Sequence, residues 1–286
     1  MMFCATGPKL QVDLRDILLR CRLHKYILTV DIVKMYRQIL IRSEDRVFQH
    51  IFWRDSPTDN LQEFQLCTIT YGLNCTPYLA IRCLHELDAQ DGHRFLLAMG
   101  VLTQAAYVDD IVIGSDTEEQ LLRRKYDIVG LLRCGAFKQS KWTSNSSALV
   151  LESLCPEDRI DSVSFDPRDE HSVKVLGLHW NTSTDNFAYH TSIQQTSSTK
   201  RQVLSVIARL FDPIGALGPF LLWAKCFMQS LWCSKLEWDD PITNELLSIW
   251  HQFCLELSDA FDLSIPRYIP VACQQDIQLL GFAATI

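Results

Sequence analysis

No run of apolar residues in this chain is long enough to span a bilayer, so no membrane partner is expected. The opening residues, Met1-Met2-Phe3-Cys4-Ala5-Thr6-Gly7-Pro8, lack a basic region followed by an apolar one, and a secretory signal is not expected there. Cysteine is plentiful at 11, yet no two are spaced Cys-x-x-Cys, which argues against a local zinc site. An odd, scattered set without a secretory signal is expected to be reduced, mostly buried thiols of a cytoplasmic protein. The 8 histidines have no metal-ligand spacing, and no internal repeat is visible.

What is present suits a globular protein. The chain has 286 residues, 48% of them hydrophobic, enough for a sizeable core in one large domain or in two or three smaller ones. A formal net charge of −7 looks unfavourable for a nucleic-acid partner. The charge is not evenly spread, however. From Glu237 onward eight acidic residues stand against Arg267 alone, so that segment accounts for the whole excess. The remainder is balanced, and basic patches there can hold a polyanion locally.

Apolar periodicity predicts a helix over 11–23 with Arg15, Arg20 and Arg22 around it. Tyr26-Ile27-Leu28-Thr29-Val30-Asp31-Ile32 is rich in β-branched residues and predicts a strand. Residues 47–53 and 61–68 predict a hairpin around a polar turn that contains Pro57. Thr76, as an N-cap before Pro77, predicts the start of a helix. Ser115 or Asp116 predicts the start of another, with Glu118 and Glu119 in its first turn and a stop near Gly135. Residues 144–171 are polar and irregular and are expected to be loop. Residues 173–180 and 186–190 look like the two strands of a second hairpin, and 194–199 like a linker. Helices are expected over 200–211, from about 218 to 232 and over 244–257, with a last strand over 276–283. The pair spanning Thr199 to Lys235 holds five basic residues and one acid.

The stretch with the clearest chemistry is Gln104-Ala105-Ala106-Tyr107-Val108-Asp109-Asp110-Ile111-Val112-Ile113-Gly114. Two adjacent carboxylates sit between two short apolar runs, which reads as a hairpin tip. Placing two negative charges beside a core is costly without a cation between them. Hard divalent cations such as Mg²⁺ take carboxylate oxygens and leave positions for substrate phosphates. A metal-dependent phosphoryl-transfer site is therefore expected. Standing alone, the pair also fits a solvated turn.

The ordered set of motifs resembles the reverse transcriptases. Tyr107-Val108-Asp109-Asp110 is similar to their core motif, and Thr29-Val30-Asp31-Ile32-Val33-Lys34-Met35-Tyr36-Arg37-Gln38-Ile39 to the motif that carries their first aspartate. The branch it resembles is the BEL/Pao long-terminal-repeat retrotransposons. That likeness rests on 31–39, on Tyr78-Leu79-Ala80-Ile81-Arg82, on Lys141-Trp142-Thr143-Ser144-Asn145 and on Ile207-Ala208-Arg209-Leu210-Phe211-Asp212-Pro213-Ile214-Gly215. The resemblance implies an α+β fold: a polymerase palm, with an antiparallel sheet and helices on one face, plus a helical thumb, truncated fingers and the start of an RNase H-like strand. Palm and partial fingers are expected over 1–190, the thumb over 191–236, and the connection with the opening RNase H-like strand over 237–286.

The resemblance also implies roles. Asp31, Asp109 and Asp110 would bind two Mg²⁺ (or Mn²⁺), with the Ile32 carbonyl as a further metal contact. Lys141 would give a proton to pyrophosphate, with Lys138 as its rival. Tyr36 would reject the ribose 2′-hydroxyl, although it also reads as core. Tyr71 and Gly72 would lie by the template or incoming nucleotide, and Tyr71 reads equally as simple packing. Tyr107 belongs to the same substrate-binding set, and Gly177, in Leu176-Gly177-Leu178, to a primer-grip hairpin. The helices over 200–235 would touch duplex backbone, unless their basic residues form only a solvated face. Trp223, Trp232, Trp238 and Trp250 are expected to pack between helices.

Expected partners are an RNA or DNA template–primer, dNTPs, and the fingers and RNase H portions of a polyprotein, in the cytoplasm or in virus-like particles. The chain is expected to start inside the fingers, near Gly7-Pro8-Lys9, and the first RNase H metal ligand would fall at Ala284. The region from the thumb onward is similar to one associated with a retrotransposon peptidase. Neither Asp-Thr-Gly nor Asp-Ser-Gly occurs, so no protease activity is expected. Two functions follow: RNA-directed DNA polymerase, or a degenerate retroelement protein that binds nucleic acid or a partner without catalysis. A metal phosphohydrolase is a third reading, which the lack of a histidine cluster opposes.

Overall fold

A computed structural model describes residues 6–146, 149, 172–189, 198–261 and 263–270. The chain divides into two compact units, Met1–Asp161 and Ser162–Ile286.

The first unit is built on an antiparallel sheet of four strands. They are β1 (Tyr26–Ile32), β4 (Ala106–Tyr107), β5 (Asp110–Ser115) and β6 (Gln139–Ser144), in the order β4-β5-β1-β6. Side chains alternate across a strand, so Leu28, Val30 and Ile32 of β1 share one face with Ile111 and Ile113 of β5. That face meets α3 (Thr76–Asp91) and α5 (Glu118–Cys134) through Leu84, Leu87, Leu121, Ile128, Leu131 and Leu132, all buried in one core cluster. The opposite alternation puts Ile27, Thr29 and Asp31 on the other face. There α1 (Leu14–Arg22), with Ile17, Leu18 and Cys21 buried, lies against β5. Its N-cap Asp13 accepts from the Arg15 amide.

Three smaller elements complete this unit: α2 (Met35–Gln38), a 3-10 turn over Ser43–Phe48, and α4 (Val101–Gln104). The hairpin of β2 (His50–Trp53) and β3 (Gln62–Gln65) is exposed along both strands. Shorter strands than 47–53 and 61–68 form because the 3-10 turn absorbs Val47 and Phe48. The N-cap of α3 is Cys75, not Thr76. The Thr76 hydroxyl instead donates to the Thr70 carbonyl at 2.6 Å, closing the preceding loop. For α5 the cap is Thr117, whose side chain accepts from the Gln120 amide, rather than Ser115 or Asp116.

The second unit has β7 (Ser172–Val175), β8 (Leu178–Asn181), β9 (Asn186–Ala188) and β10 (Ile265–Pro266), in the order β10-β9-β8-β7. Residues 173–180 are thus two strands, not one. Leu176 and Gly177 turn the chain between them at φ 50° and 88°. Two successive left-handed residues make the tight hairpin turn whose twist matches the strands. A Cβ on Gly177 would lie 2.4 Å from the Phe211 ring. Gly177→Val is expected to cost about 1–3 kcal/mol from strain and crowding together, measured by urea denaturation.

The helices are α6 (Lys200–Ala208), α7 (Gly218–Cys233) and α8 (Asn244–Phe261). The α6 helix stops three residues before the expected Phe211. Trp223, Phe227, Trp250 and Phe253 stack between α7 and α8, with ring centroids 4.3 to 5.4 Å apart. The expected interhelical ring packing is seen for Trp223 and Trp250, whereas Trp232 is 53% exposed and Trp238, past the end of α7, has its ring beneath Lys200 and Arg201. The cysteines also depart from expectation: Cys21, Cys75 and Cys254 are buried, but Cys67, Cys134, Cys226 and Cys233 are exposed. The expected linker over 194–197, most of the loop over 144–171 and the final strand over 276–283, with Ala284, lie outside the described residues.

Candidate active site

The antiparallel register sets Asp31 of β1 directly opposite Asp110 of β5. Directly opposed residues on one face have Cβ atoms roughly 5 Å apart, so two like charges meet there. Asp109 is in the β4–β5 turn, and its carbonyl accepts from the Ile32 amide at 2.9 Å. That bond ties the turn to the end of β1, beside Asp31. The turn is tight: Val108 adopts φ 55°, a left-handed conformation that a β-branched residue rarely takes. Gln11 holds it. Its side-chain oxygen accepts from the Val108 amide at 3.1 Å, and its side-chain nitrogen donates to the Ala106 carbonyl at 3.0 Å. Tyr107, half-buried, pairs with Asp110 across the hairpin.

Burial first, then the charges of Asp109 and Asp31, push the Asp110 carboxyl from 3.8 up to about 6. Burial also raises Asp109, with Asp31 adding to it, while a backbone hydrogen bond and Lys141 pull the other way. The lysine arrives through a β-bulge. Thr29 pairs with Thr143, but Asp31 pairs with Ser140, so β6 carries one extra residue between them. Lys141 is in that bulge at φ 59°, with its Nζ 3.4 Å from Asp31 Oδ2. Lys138, its rival, is placed differently: its carbonyl accepts from Val33 and its amide donates to Gln38 Oε1 at 2.8 Å. Gln38 also donates to the Val33 carbonyl. It therefore bridges β1 to the start of β6, as Gln11 bridges the other side.

Beyond Val33 the chain turns at Lys34, φ 48°, and α2 places Tyr36. Burial raises the Tyr36 hydroxyl, with the Asp109 charge second and Tyr71 third. Its ring meets Tyr71 edge to face at 4.9 Å between centroids. Tyr71 is itself 61% exposed, at the lip of the site. Gly72 follows at φ 89°, with no atom within 4 Å of where a Cβ would stand. The first unit thus brings together Asp31, Ile32, Tyr36, Tyr71, Gly72, Tyr107, Asp109, Asp110 and Lys141. Gly177 is in the second unit.

The pattern of apolar runs did not signal Gln11 and Gln38. Each is one polar residue whose partners are backbone groups that only the fold brings to it: Ala106 and Val108 for Gln11, Val33 and Lys138 for Gln38.

Among the described residues no three His, Cys, Asp or Glu side chains are already gathered closely enough to cage a metal ion. The donor chemistry nevertheless fits a hard divalent cation. The oxygens are carboxylate, they converge from paired strands, and their mutual repulsion is what a cation would relieve. Mg²⁺ is commonly bound by one or two carboxylates, with the remaining positions filled by substrate phosphate and water.

The basic helix pair of the second unit is less open than its composition implies. Lys200 is buried, and its Nζ donates to the Leu236 carbonyl. Arg201 forms two hydrogen bonds with Asp239, at 2.7 and 2.9 Å. Lys200 is thus drawn inside the unit, while Arg201 pairs at the surface with a residue of the acidic tail.

A family model described as reverse transcriptase (RNA-dependent DNA polymerase) matches residues 4–179. A second, described as a Pao retrotransposon-like RNaseH-like domain, matches residues 199–285. That description is RNaseH-like, which replaces the expected peptidase association of the same region. No curated protein matches the chain. Among solved structures, a foamy viral protease-reverse transcriptase dRH in complex with double-stranded DNA is 14% identical over 88% of this chain and 38% of that one, with a TM-score of 0.54. The foamy viral protease-reverse transcriptase in complex with an RNA/DNA hybrid is 14% identical over 91% and 30%, TM-score 0.52. The form with double-stranded DNA is 13% identical over 89% and 46%, TM-score 0.52. The chain spans 30 to 46% of the length of these structures, and identities this low reflect a shared fold. With more than half its length matched by the reverse transcriptase model and residues 199–285 by the Pao one, the chain belongs to the reverse transcriptase family, of the Pao retrotransposon type.

Proposed function

We propose that this chain carries the polymerising centre of an RNA-directed DNA polymerase, joining a dNTP to the 3′-hydroxyl of a primer. The observation that carries the reading is the facing of Asp31 and Asp110 on paired strands, with Asp109 in the turn beside them. Asp31, Asp109, Asp110 and the Ile32 carbonyl would hold two Mg²⁺, or Mn²⁺. When bound, those ions supply charge neutralisation at the phosphates and lower the pKa of the attacking hydroxyl. The protein's own share is placement. Gln11 and Gln38 fix the two backbone segments that carry the carboxylates. Lys141, set 3.4 Å from Asp31 by the bulge, is the positioned proton donor for the departing pyrophosphate. Tyr71 and Gly72 form the lip against which the nucleotide or template base rests, with Tyr107 beneath the primer end.

Tyr36, braced by Tyr71, is the group that a ribose 2′-hydroxyl would strike. Tyr36→Ala is expected to raise ribonucleotide incorporation by about 10-fold or more relative to deoxyribonucleotide, read from kcat/KM for each. Residues 1–190 would act as palm with partial fingers, with Gly177 in a primer-grip turn, 191–236 as thumb, and 237–286 as the connection and the opening of an RNase H-like region. Fingers and RNase H portions of a polyprotein would complete the machine in the cytoplasm or in virus-like particles. The foamy viral structures, solved with DNA or an RNA/DNA hybrid, support template–primer as the partner.

Primer extension on an RNA template with Mg²⁺ and dNTPs tests the proposal, with Asp109→Asn/Asp110→Asn as the inactive control. Binding of template–primer that persists in EDTA, with no extension under any metal, would instead establish a retroelement protein that binds without catalysis.

A further inference from the structure

Two adjoining cavities open in the first unit at the far end of β5 from the carboxylates. Gly114, in the wall of both, is roughly 13 Å along that strand from Asp110. The smaller encloses about 130 Å³ and the larger about 460 Å³. Arg20, in the last turn of α1, and Arg124, in α5, both line the smaller one. Backbone carbonyls of the lining hold both guanidinium groups at its wall. Arg20 donates from a terminal nitrogen to the Gln104 carbonyl at 2.9 Å. Arg124 donates to the Gly114 carbonyl at 2.6 Å, and from Nε to the Leu97 carbonyl at 3.2 Å. A guanidinium has five N–H groups, so each keeps donors in hand. Among the described residues neither arginine has a carboxylate partner, and none that lines the smaller cavity is acidic. Acids are not scarce, since the chain has 34 against 27 lysines and arginines. The acid in the larger cavity, Asp116, lies 3.4 Å from His24 Nδ1 instead. Two like charges held at one small cavity without a counter-charge repel, and an anion between them relieves that cost.

We propose that the smaller cavity binds the phosphate of a small phosphomonoester, whose organic body lies in the larger one. Sites for whole small molecules run from about 300 Å³ upward, so the smaller cavity suits one compact group. A phosphomonoester carries a charge of about −1.5 to −2 at neutral pH and three strong acceptor oxygens. That charge answers two guanidinium groups, whereas a carboxylate would leave one of them unanswered. The N–H groups of arginine match phosphate oxygens in geometry as well as in charge. The larger cavity offers the body an apolar sill, where Leu96, Leu97 and Met99 are 74, 42 and 61% exposed. No carboxylate pair or metal enters this site, which separates it from the centre around Asp110. The proposal does not depend on whether the chain polymerises.

The test is a phosphorus-31 NMR titration of the full chain in EDTA, with phenyl phosphate and inorganic phosphate as probes and benzoate as competitor. Wild type is expected to bind phenyl phosphate with a Kd of about 1 mM or below. Inorganic phosphate, which lacks the body, is expected to bind at least about 5-fold more weakly. Benzoate, which keeps the ring but has one charge, is expected to displace phenyl phosphate only at about 10-fold higher concentration or more. Arg20→Gln and Arg124→Gln are each expected to weaken phenyl phosphate by at least about 10-fold. Arg124 also ties two backbone segments, so Arg20→Gln, at an exposed position, decides the matter if Arg124→Gln fails to fold. Arg15→Gln removes the same charge from α1 away from both cavities, and is expected to change binding by less than about 2-fold. Equal loss in Arg15→Gln and Arg20→Gln would overturn the proposal, as would binding that requires Mg²⁺. So would equal affinity for the two phosphates, which marks a site for the free ion, or no binding at about 10 mM phenyl phosphate.

Discussion

Asp110→Asn is expected to stabilise the metal-free protein while lowering primer extension by at least about 10³-fold. The two effects have one cause. Burial of the Asp110 carboxyl comes first, and the charges of Asp109, its neighbour in the chain, and of Asp31, which faces it across β1 and β5, add to it. The carboxyl therefore titrates at about 6 in the folded protein against 3.8 ordinarily. A carboxyl raised in this way favours the fold only when neutral. Its penalty is absent below the ordinary value, grows as pH rises through the interval from 3.8 to about 6, and is complete above it. A displacement of that size corresponds to about 3 kcal/mol at neutral pH, shared with the other two carboxylates to which the site is coupled.

Asparagine keeps the shape and removes the charge. In EDTA at pH 7.5 (about two and a half pH units above the midpoint of the interval) the variant should gain roughly 1–3 kcal/mol, seen as a Tm higher by several degrees. At about pH 3 the gain should vanish, because the wild-type carboxyl is then neutral in the folded and unfolded states alike. Mg²⁺ or Mn²⁺ should raise the Tm of wild type and leave that of the variant little changed, a readout independent of any turnover. A variant less stable than wild type in EDTA at neutral pH would show that the three charges do not repel as the register places them.

The same site marks how far the sequence could be read. The β1 strand appears at the expected residues, Tyr26–Ile32, because β-branched side chains and period-two burial agree there. Asp109 and Asp110 are legible as a hairpin tip because apolar runs flank them. Lys141 is legible only through family resemblance, since no local pattern announces a bulge. The bulge is a mismatch of register between two strands more than a hundred residues apart, and neither strand alone contains it. Gln11 and Gln38 are silent for a related reason: their partners are backbone groups, which every residue possesses. The second unit shows the opposite error. Lys200 and Arg201 counted as surface charge in the composition of the helix pair. The Leu236 carbonyl and the Asp239 carboxylate take them up. Net charge gives no information about which charges are already satisfied.

Arg267 is the strongest case of that kind, and it yields the second large effect. In the sequence it is the lone basic residue of an acidic tail. In the fold its side chain is fully buried, with Nε 2.6 Å and a terminal nitrogen 2.7 Å from the two oxygens of Asp185. The Arg267 amide also donates to the Asp185 carbonyl at 3.0 Å, and the Trp180 indole donates to the same carboxylate. A two-residue strand, β10, could not hold the edge of the sheet by its ladder alone. The bidentate pair fastens it there. Asp185 has φ 56°, a conformation that asparagine accepts as readily, so Asp185→Asn isolates the charge from the backbone.

That change removes the charge of the carboxylate that holds the buried guanidinium in a bidentate pair, at an expected cost of about 3 kcal/mol or more. Hydrogen exchange of the Trp180 and Phe187 amides should accelerate by about 100-fold. Arg267→Met alone should also destabilise, by stranding the carboxylate. Combined with Asp185→Asn it should cost clearly less than the two single changes added, because each single change already removes the interaction between the two groups. If the two costs simply add, the pair is not what fastens β10.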